Sequence, residues 1–301
     1  MPPKKHQTPI SAQTSLSMNA QQPTPKTQGH PRNRKLAINE DKKLIHLDTN
    51  THHTCPLQTR QTHMSFIDYF DQTRIINMKS RTDRRKETED EFLRYQLPIN
   101  TKNVRFFDAI TPDTPNNFPN IGARGCFMSH LSILETAAKT NPRRIFLVED
   151  DIQFSNQIIE FGSRATESLE TTDWDIAYFG HLLKSSSTSP HWKAVSEPML
   201  LSHCYAVNGA TIERLAHFLR QMLERPAGDP QGGPMHYDGA LNTFLAQNPD
   251  IKAYYYSKNL GYQRPSKTNI HQNSIIDRNP LLKPLSQTYR AAKRIYLRLI
   301  K

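Results

Sequence analysis

Four apolar residues, Ile145 to Val148, run directly into Glu149, Asp150 and Asp151, and the chain then turns apolar again. A short, continuous apolar run suits a strand covered on both faces, as in a sheet flanked by helices. Three consecutive carboxylates at the end of such a strand repel one another. A close pair near a protein surface costs roughly 4 kcal/mol at an effective dielectric of about 20. The stretch therefore favours folds in which a buried strand opens, at its carboxyl end, on a site that holds positive charge. On an extended strand Glu149 and Asp151 point one way and Asp150 the other. An acid, a spacer and a second acid at a strand end suit a hard divalent cation that also binds phosphate oxygens. A solvated turn is the plainer alternative. It accounts well for a lone acidic pair, and less well for three acids directly behind an apolar run.

Strand and helix patterns alternate from residue 64 onward. "RIINM" (74–78) and "VRFFDAI" (104–110) read as strands, with an amphipathic helix over 83–97 between them. Residues 122–140 read as a helix, because Cys126/Phe127, His130/Leu131, Leu134 and Ala137/Ala138 recur at helical spacing. The acidic strand is followed by a strand at 174–180, and "SSSTSPHW" reads as a loop. "CYAVNGATIERLAHFLRQML" reads as strand, turn and helix, "YDGALNTFLAQ" as a helix and "IKAYYY" as a last strand. The expected fold is a single α/β domain over 64–277, with a mostly parallel mixed sheet flanked by helices and a site at the carboxyl ends of strands.

The formal charge of +11 belongs to the two ends. Residues 1–63 hold nine Lys/Arg against three acids, and 278–301 hold seven Lys/Arg and no acid, which leaves the middle at −2. No basic face is expected on the folded body, which argues against nucleic acid as a partner. Residues 1–63, rich in Pro, Gln, Thr, His and Lys, are expected to be disordered. "THHTC" (51–55) with His63 offers metal-ligand types, but at a spacing that fits no closed zinc pattern. In the tail, Arg290, Arg294, Arg298 and Lys301 share one helical face, and Leu285, Tyr289, Ala292, Tyr296 and Leu299 share another. That helix either lies on an anionic membrane surface or docks on the fold. Three scattered cysteines and the lack of a membrane span or signal-peptide core lead us to expect a cytoplasmic protein.

"INMKSRTDRRK" places Arg81, Arg84, Arg85 and Lys86 at a strand-to-helix turn. Cations in a helix's first turn oppose its macrodipole, an effect of roughly 0.3–1 kcal/mol, so either an anionic ligand or plain solvation accounts for them. Ser129 and His130 are adjacent on a helix and do not face each other, which speaks against serine hydrolysis. His130 is either a satisfied core histidine or part of a pocket. Asp238 follows a Gly/Pro loop where a helix starts, and a helix N-cap is its structural alternative.

In order, "IINMKSRTDRR", "FFDAI", "GARGCFMSHLSIL", "RIFLVEDDIQF", "DWDIAYFG", "CYAVNGATIERL" and "YDGALNTFL" resemble glycosyltransferase family 25, over roughly 66–270. The resemblance implies a GT-A-like nucleotide-sugar-binding domain and a divalent metal, Mn2+ or Mg2+. It implies transfer of a hexose, commonly galactose from UDP-galactose, with inversion, to a glycan or glycolipid such as lipopolysaccharide at the inner face of the cytoplasmic membrane. It also implies roles. Asn77, Arg81 and Arg84 would contact the nucleotide, and Asp108 would line the same pocket with Ser129, His130 and Asp150. Glu149 and Asp151 would hold the metal and ribose, and Asp238 would be the base, with His236 next in line. Two departures stand out: "GAR" (122–124) precedes the GC pair where an acid is often found, and Asn269 stands where the family often has Asp. A binding protein that has lost turnover and a metal-dependent phosphoesterase are the competing readings.

Overall fold

The structure is a computed structural model and describes residues 65–183 and 187–264. The expected disordered extension (1–63), the basic tail helix (278–301) and Asn269 lie outside the described residues. In chain order, a 3₁₀ turn (Phe66–Tyr69) leads into β1 (Gln72–Asn77), α1 (Thr82–Arg94), β2 (Val104–Asp108) and α2 (Ile121–Thr140). Next come β3 (Arg144–Glu149), β4 (Ile152–Phe154), α3 (Gln157–Leu169), β5 (Ile176–Tyr178) and β6 (Trp192–Ala194). The described part closes with β7 (Cys204–Asn208), α4 (Thr211–Glu224), α5 (Tyr237–Gln247), β8 (Ala253–Tyr256) and β9 (Gly261–Gln263).

Seven strands form one mixed sheet in the order β2-β1-β3-β7-β5-β8-β6, and β4 with β9 makes a small antiparallel ribbon. β1 runs parallel to β2 and β3, and β5 to β8, whereas β7 is antiparallel to both its neighbours and β6 is an antiparallel edge. The apolar run is the inner strand β3, and Ile145 to Val148 are all fully buried. Its side chains alternate between two cores. Ile145 and Leu147 join Phe127, Leu131, Leu215 and Phe244 of α2, α4 and α5. Phe146 and Val148 join Phe66, Phe92, Phe161 and Leu169 of the 3₁₀ turn, α1 and α3. Helices therefore cover both faces, which is why the strand carries no polar alternation.

The alternation aims only Glu149, the last residue of β3; Asp150 and Asp151 lie in the turn before β4 rather than on the extended strand expected for all three acids. Glu149 continues the Ile145/Leu147 face towards α2, while its N–H is held by the His203 carbonyl at 2.9 Å. Asp150 falls on the opposite side, towards α1, and its N–H donates to the Ile76 carbonyl at 3.0 Å. α2 starts where Asn120 caps it, its side chain accepting from the Ala123 N–H at 2.8 Å. The helix approaches the loop after β2 so closely that a Cβ at Gly125 would lie 2.7 Å from the Ile110 carbonyl oxygen.

The 3₁₀ turn closes the second core with an aromatic cluster. Phe70 stacks on Phe146 at 4.7 Å and meets Phe66 and Phe179 edge-on, each at 5.7 Å. Phe70→Ala is expected to lower unfolding free energy by roughly 3–5 kcal/mol, the usual cost of emptying a buried phenylalanine site. Urea denaturation checks this, and a cost below about 1 kcal/mol would mean that the turn is not part of the core.

Candidate active site

The acids converge on a cavity of about 390 Å³ at the carboxyl ends of β1 and β3, between the starts of α1 and α2. That volume is in the range of small-ligand sites. Glu149, Asp150, Asp151, Arg84 and Ser129 line it together, with Gln263 from β9. A larger groove of about 600 Å³ holds Asp108 with Arg85, Lys102 and Arg105, but exposed residues line it and the acidic run is not there. The smaller cavity is the candidate site, because the buried charges are in its wall.

Asp150 is the best satisfied of the three acids. Its carboxylate accepts from the Asn77 amide at 2.8 Å and from Arg84 at 2.7 Å. Its carbonyl accepts from the Thr88 hydroxyl at 2.7 Å and from Arg264. Arg264 also pairs with Glu87 at 3.0 Å. Burying a carboxylate is tolerable when a guanidinium and an amide share it. Asp150 therefore ties β1, α1 and β9 to the end of β3.

Glu149 and Asp151 have much less. Asp151 accepts from the Gln263 amide at 3.2 Å and lies 4.0 Å from Arg84, while its other carboxylate oxygen is buried without a hydrogen-bond partner. Burial, and after it the charges of Glu149 and Asp150, hold the Asp151 pKa well above the usual carboxylate range. Burial does the same to Glu149, reinforced by Asp150 and Asp238 and opposed by Arg84. Two carboxyls that resist ionisation, Glu149 half-buried and Asp151 buried with an orphaned oxygen, are what a cation would relieve.

Behind Glu149 lies His130, fully buried and stacked on Tyr237 at 3.9 Å. Its Nδ1 is 3.1 Å from the Tyr205 hydroxyl, which lies 2.7 Å from the Tyr237 hydroxyl. Its Nε2 is 3.7 Å from the Glu149 carboxylate. That distance is too long for a hydrogen bond. Burial also pushes the imidazole pKa down to about 3, so the contact is not an ion pair.

The remaining expected residues divide. Asn77 sits beneath the cavity and reaches it through Asp150. Ser129 is structurally engaged: its hydroxyl donates to the Gly125 carbonyl at 2.7 Å and accepts from the Ile110 N–H at 2.8 Å. Arg81 turns to Asp83, holding that carboxyl down to about 2, and neither it nor Asp108 lines the cavity. The N-cap of α5 is His236, so Asp238 is not the cap; it is the second residue of the helix. Its carboxylate accepts from the Leu201 N–H at 3.3 Å and is near enough to raise the pKa of Glu149. Leu201 itself has φ of 71°, a left-handed backbone that costs energy for a leucine. Sequence reading missed Gln263 and Arg264, which local pattern does not connect to residue 150. It also missed Cys126 as a neighbour of Glu149, although the four-residue step from Cys126 to His130 was visible.

Residues 70–222 match the family described as "Glycosyltransferase family 25 (LPS biosynthesis protein)". The chain is 26% identical over 218 residues to procollagen galactosyltransferase 2 of Mus musculus, covering 64% of this chain and 33% of that protein. The Homo sapiens protein of the same name is 25% identical over 218 residues, with the same coverage. The chain thus spans about one third of the length of these relatives. A crystal structure of a glycosyltransferase involved in glycosylation of the major capsid of PBCV-1 aligns with 75% of this chain and 98% of that one, at 11% identity and a TM-score of 0.41.

Proposed function

The chain belongs to glycosyltransferase family 25, and on that premise we propose that it transfers a hexose, galactose foremost, from a UDP-sugar to a hydroxyl of a cell-surface glycan or glycolipid, with inversion. The observation that carries the reading is the single cavity wall shared by Glu149, Asp151 and Arg84, two under-neutralised carboxyls beside a guanidinium. Glu149 and Asp151 would hold a divalent cation, Mn2+ or Mg2+, and the orphaned buried oxygen of Asp151 fits that role. Such a cation supplies Lewis-acid neutralisation of a diphosphate leaving group.

The chain's own residues do the rest. Asp150, locked by Asn77 and Arg84, holds the end of β3 in register with β1 and α1 and keeps its neighbours aimed at the cavity. Arg84, at the cavity wall, offers positive charge to the diphosphate, whereas Arg81, at the same turn, is held by Asp83. Asp238, fixed by the Leu201 N–H, takes the proton of the acceptor hydroxyl. The reading places the reaction at the inner face of the cytoplasmic membrane. No helix among the described residues is long and apolar enough to cross a membrane.

A panel of UDP- and GDP-sugars with Mn2+, scored by thermal shift and slow donor hydrolysis, tests the proposal. A UDP-hexose at a hundredfold over its Kd should stabilise the protein by about 2.7 kcal/mol. GDP-sugars should give little shift. Release of phosphate from simple esters, without any response to sugar nucleotides, would favour a phosphoesterase instead.

A further inference from the structure

Cys126, His130 and Glu149 bring one sulfur, one ring nitrogen and one carboxylate oxygen within 4.8 Å of one another. We propose that these three residues form a binding site for a thiophilic divalent cation, Zn2+ foremost, at the inner wall of the cavity. The site goes beyond the transfer reading: it is separate from the pair Glu149 and Asp151, with which it shares only Glu149.

Cys126 and His130 are four residues apart on α2 and so lie on one helix face, while the side-chain alternation of β3 turns Glu149 towards that face. Thiolate, imidazole and carboxylate are the ligand types of zinc, whose hold on sulfur distinguishes it from oxygen-seeking Mg2+ and Mn2+. A tetrahedral zinc site separates its ligand atoms by roughly 3.4–3.6 Å, given Zn–S of about 2.3 Å and Zn–N or Zn–O of about 2.1 Å. The 3.7 Å between His130 Nε2 and Glu149 is close to that spacing, and the sulfur, within 4.8 Å of both, lies at most about 1.2 Å outside it.

A second, independent observation concerns the imidazole. Nε2 of His130 is buried and has no hydrogen-bond partner, an expensive condition for a ring nitrogen. Its other nitrogen is held by Tyr205, whose hydroxyl is in turn held by Tyr237, and the ring is clamped flat on Tyr237. When Nδ1 carries the hydrogen and donates it to Tyr205, the lone pair of Nε2 faces Cys126 and Glu149. Metal-binding histidines are set in this way by a partner on the far nitrogen. Burial leaves the imidazole neutral, as a ligand must be. Burial, and after it the neighbouring carboxylates, pushes the Cys126 thiol pKa up. Binding is thus an exchange: Zn2+ replaces the thiol proton, which leaves to solvent, and the Zn–S bond forms without any change of oxidation state. Cys126 and Glu149 both line the cavity, so a cation would enter from it.

The test uses the full-length, metal-stripped protein carrying Cys55→Ser, so that no thiolate signal comes from the N-terminal "THHTC" segment. Titration with Co2+ should give a cobalt–thiolate charge-transfer band that saturates at one equivalent, releases a proton and is displaced by Zn2+. Cys126→Ser should abolish the band, and Glu149→Gln should keep it but weaken Zn2+ binding at least tenfold. Tyr205→Phe, which removes the hydroxyl partner of Nδ1 and of the Tyr237 hydroxyl, should weaken binding by roughly 10–100-fold. Melting curves identify any variant that is unfolded, and the band in the parent, read beside Glu149→Gln, decides the matter if Cys126→Ser is one of them. No thiolate band in the parent, or a band that survives Cys126→Ser, overturns the proposal. These readouts need no sugar donor, so a failure of the transfer reading leaves them interpretable.

Discussion

Asp151→Asn is expected to abolish Mn2+-dependent UDP binding and, with it, sugar transfer, although it deletes only one charge. Asp151 has one carboxylate oxygen on Gln263 and the other buried with no hydrogen-bond partner, so it has more unspent capacity than Asp150. Asp150→Asn should act mainly on stability, because that carboxylate is already committed to Asn77 and Arg84. The metal-free proteins should behave in the opposite sense. The raised pKa values of Glu149 and Asp151 mean that the folded protein keeps protons the unfolded chain has released. Stability then falls as pH climbs from the ordinary carboxylate range through the raised folded values. Asp151→Asn removes its share of that loss, so the metal-free variant should melt no lower than the parent at neutral pH, with a flatter pH dependence. Calorimetric titration of UDP with and without Mn2+, beside metal-free melting curves, separates the two effects. A variant that binds Mn2+ and UDP as the parent does would remove this triplet from the reaction.

Asp238→Asn is expected to leave donor binding in place and slow transfer by roughly 10²–10⁴-fold, the scale on which a positioned general base contributes. The amide keeps the shape of the side chain and can still accept from the Leu201 N–H. What it loses is the capacity to take a proton, so kcat should fall while the Kd for the UDP-sugar stays near parental. Near-parental turnover would assign Asp238 to holding the Leu201 backbone and make His236 the next candidate.

The elements that carry the site were largely legible because they depend on local pattern. The apolar run of β3 reads directly as a strand covered on both faces, and α2 announces itself through Phe127, Leu131 and Leu134. The two cores follow from the same period-two logic, which stops at Glu149, because Asp150 and Asp151 lie in the turn after β3. Other elements have no local signature. β4, β6 and β9 are three residues each and exist only through the partners they meet. α3 does place Ile158, Phe161, Ala165 and Leu169 at helical spacing, yet Gly162 interrupts it. That glycine is there for packing, since a Cβ would come within 3.2 Å of Phe66. The site itself was legible in part: the acids, Asn77 and Arg84 meet as adjacent strand ends of an α/β sheet should. Arg81 and Asp108 sit at the right strand ends but turn outward, a side-chain choice that spacing does not reveal.

The ribbon of β4 and β9 has a consequence for how the protein is made. Gln263 and Arg264, which cover Asp151 and Asp150, lie 112 and 114 residues further along the chain. During synthesis β1, α1 and β3 can pair, and Arg84 can meet Asp150, long before β9 has emerged from the ribosome. Through that interval the turn at Asp150 and Asp151 stands open, with like charges adjacent and no ribbon over them. Closing it is a long-range step, of the kind that is slow to form. The acidic site is therefore among the last features of the domain to be completed, and a nascent chain ending before Gly261 has a sheet but no closed site.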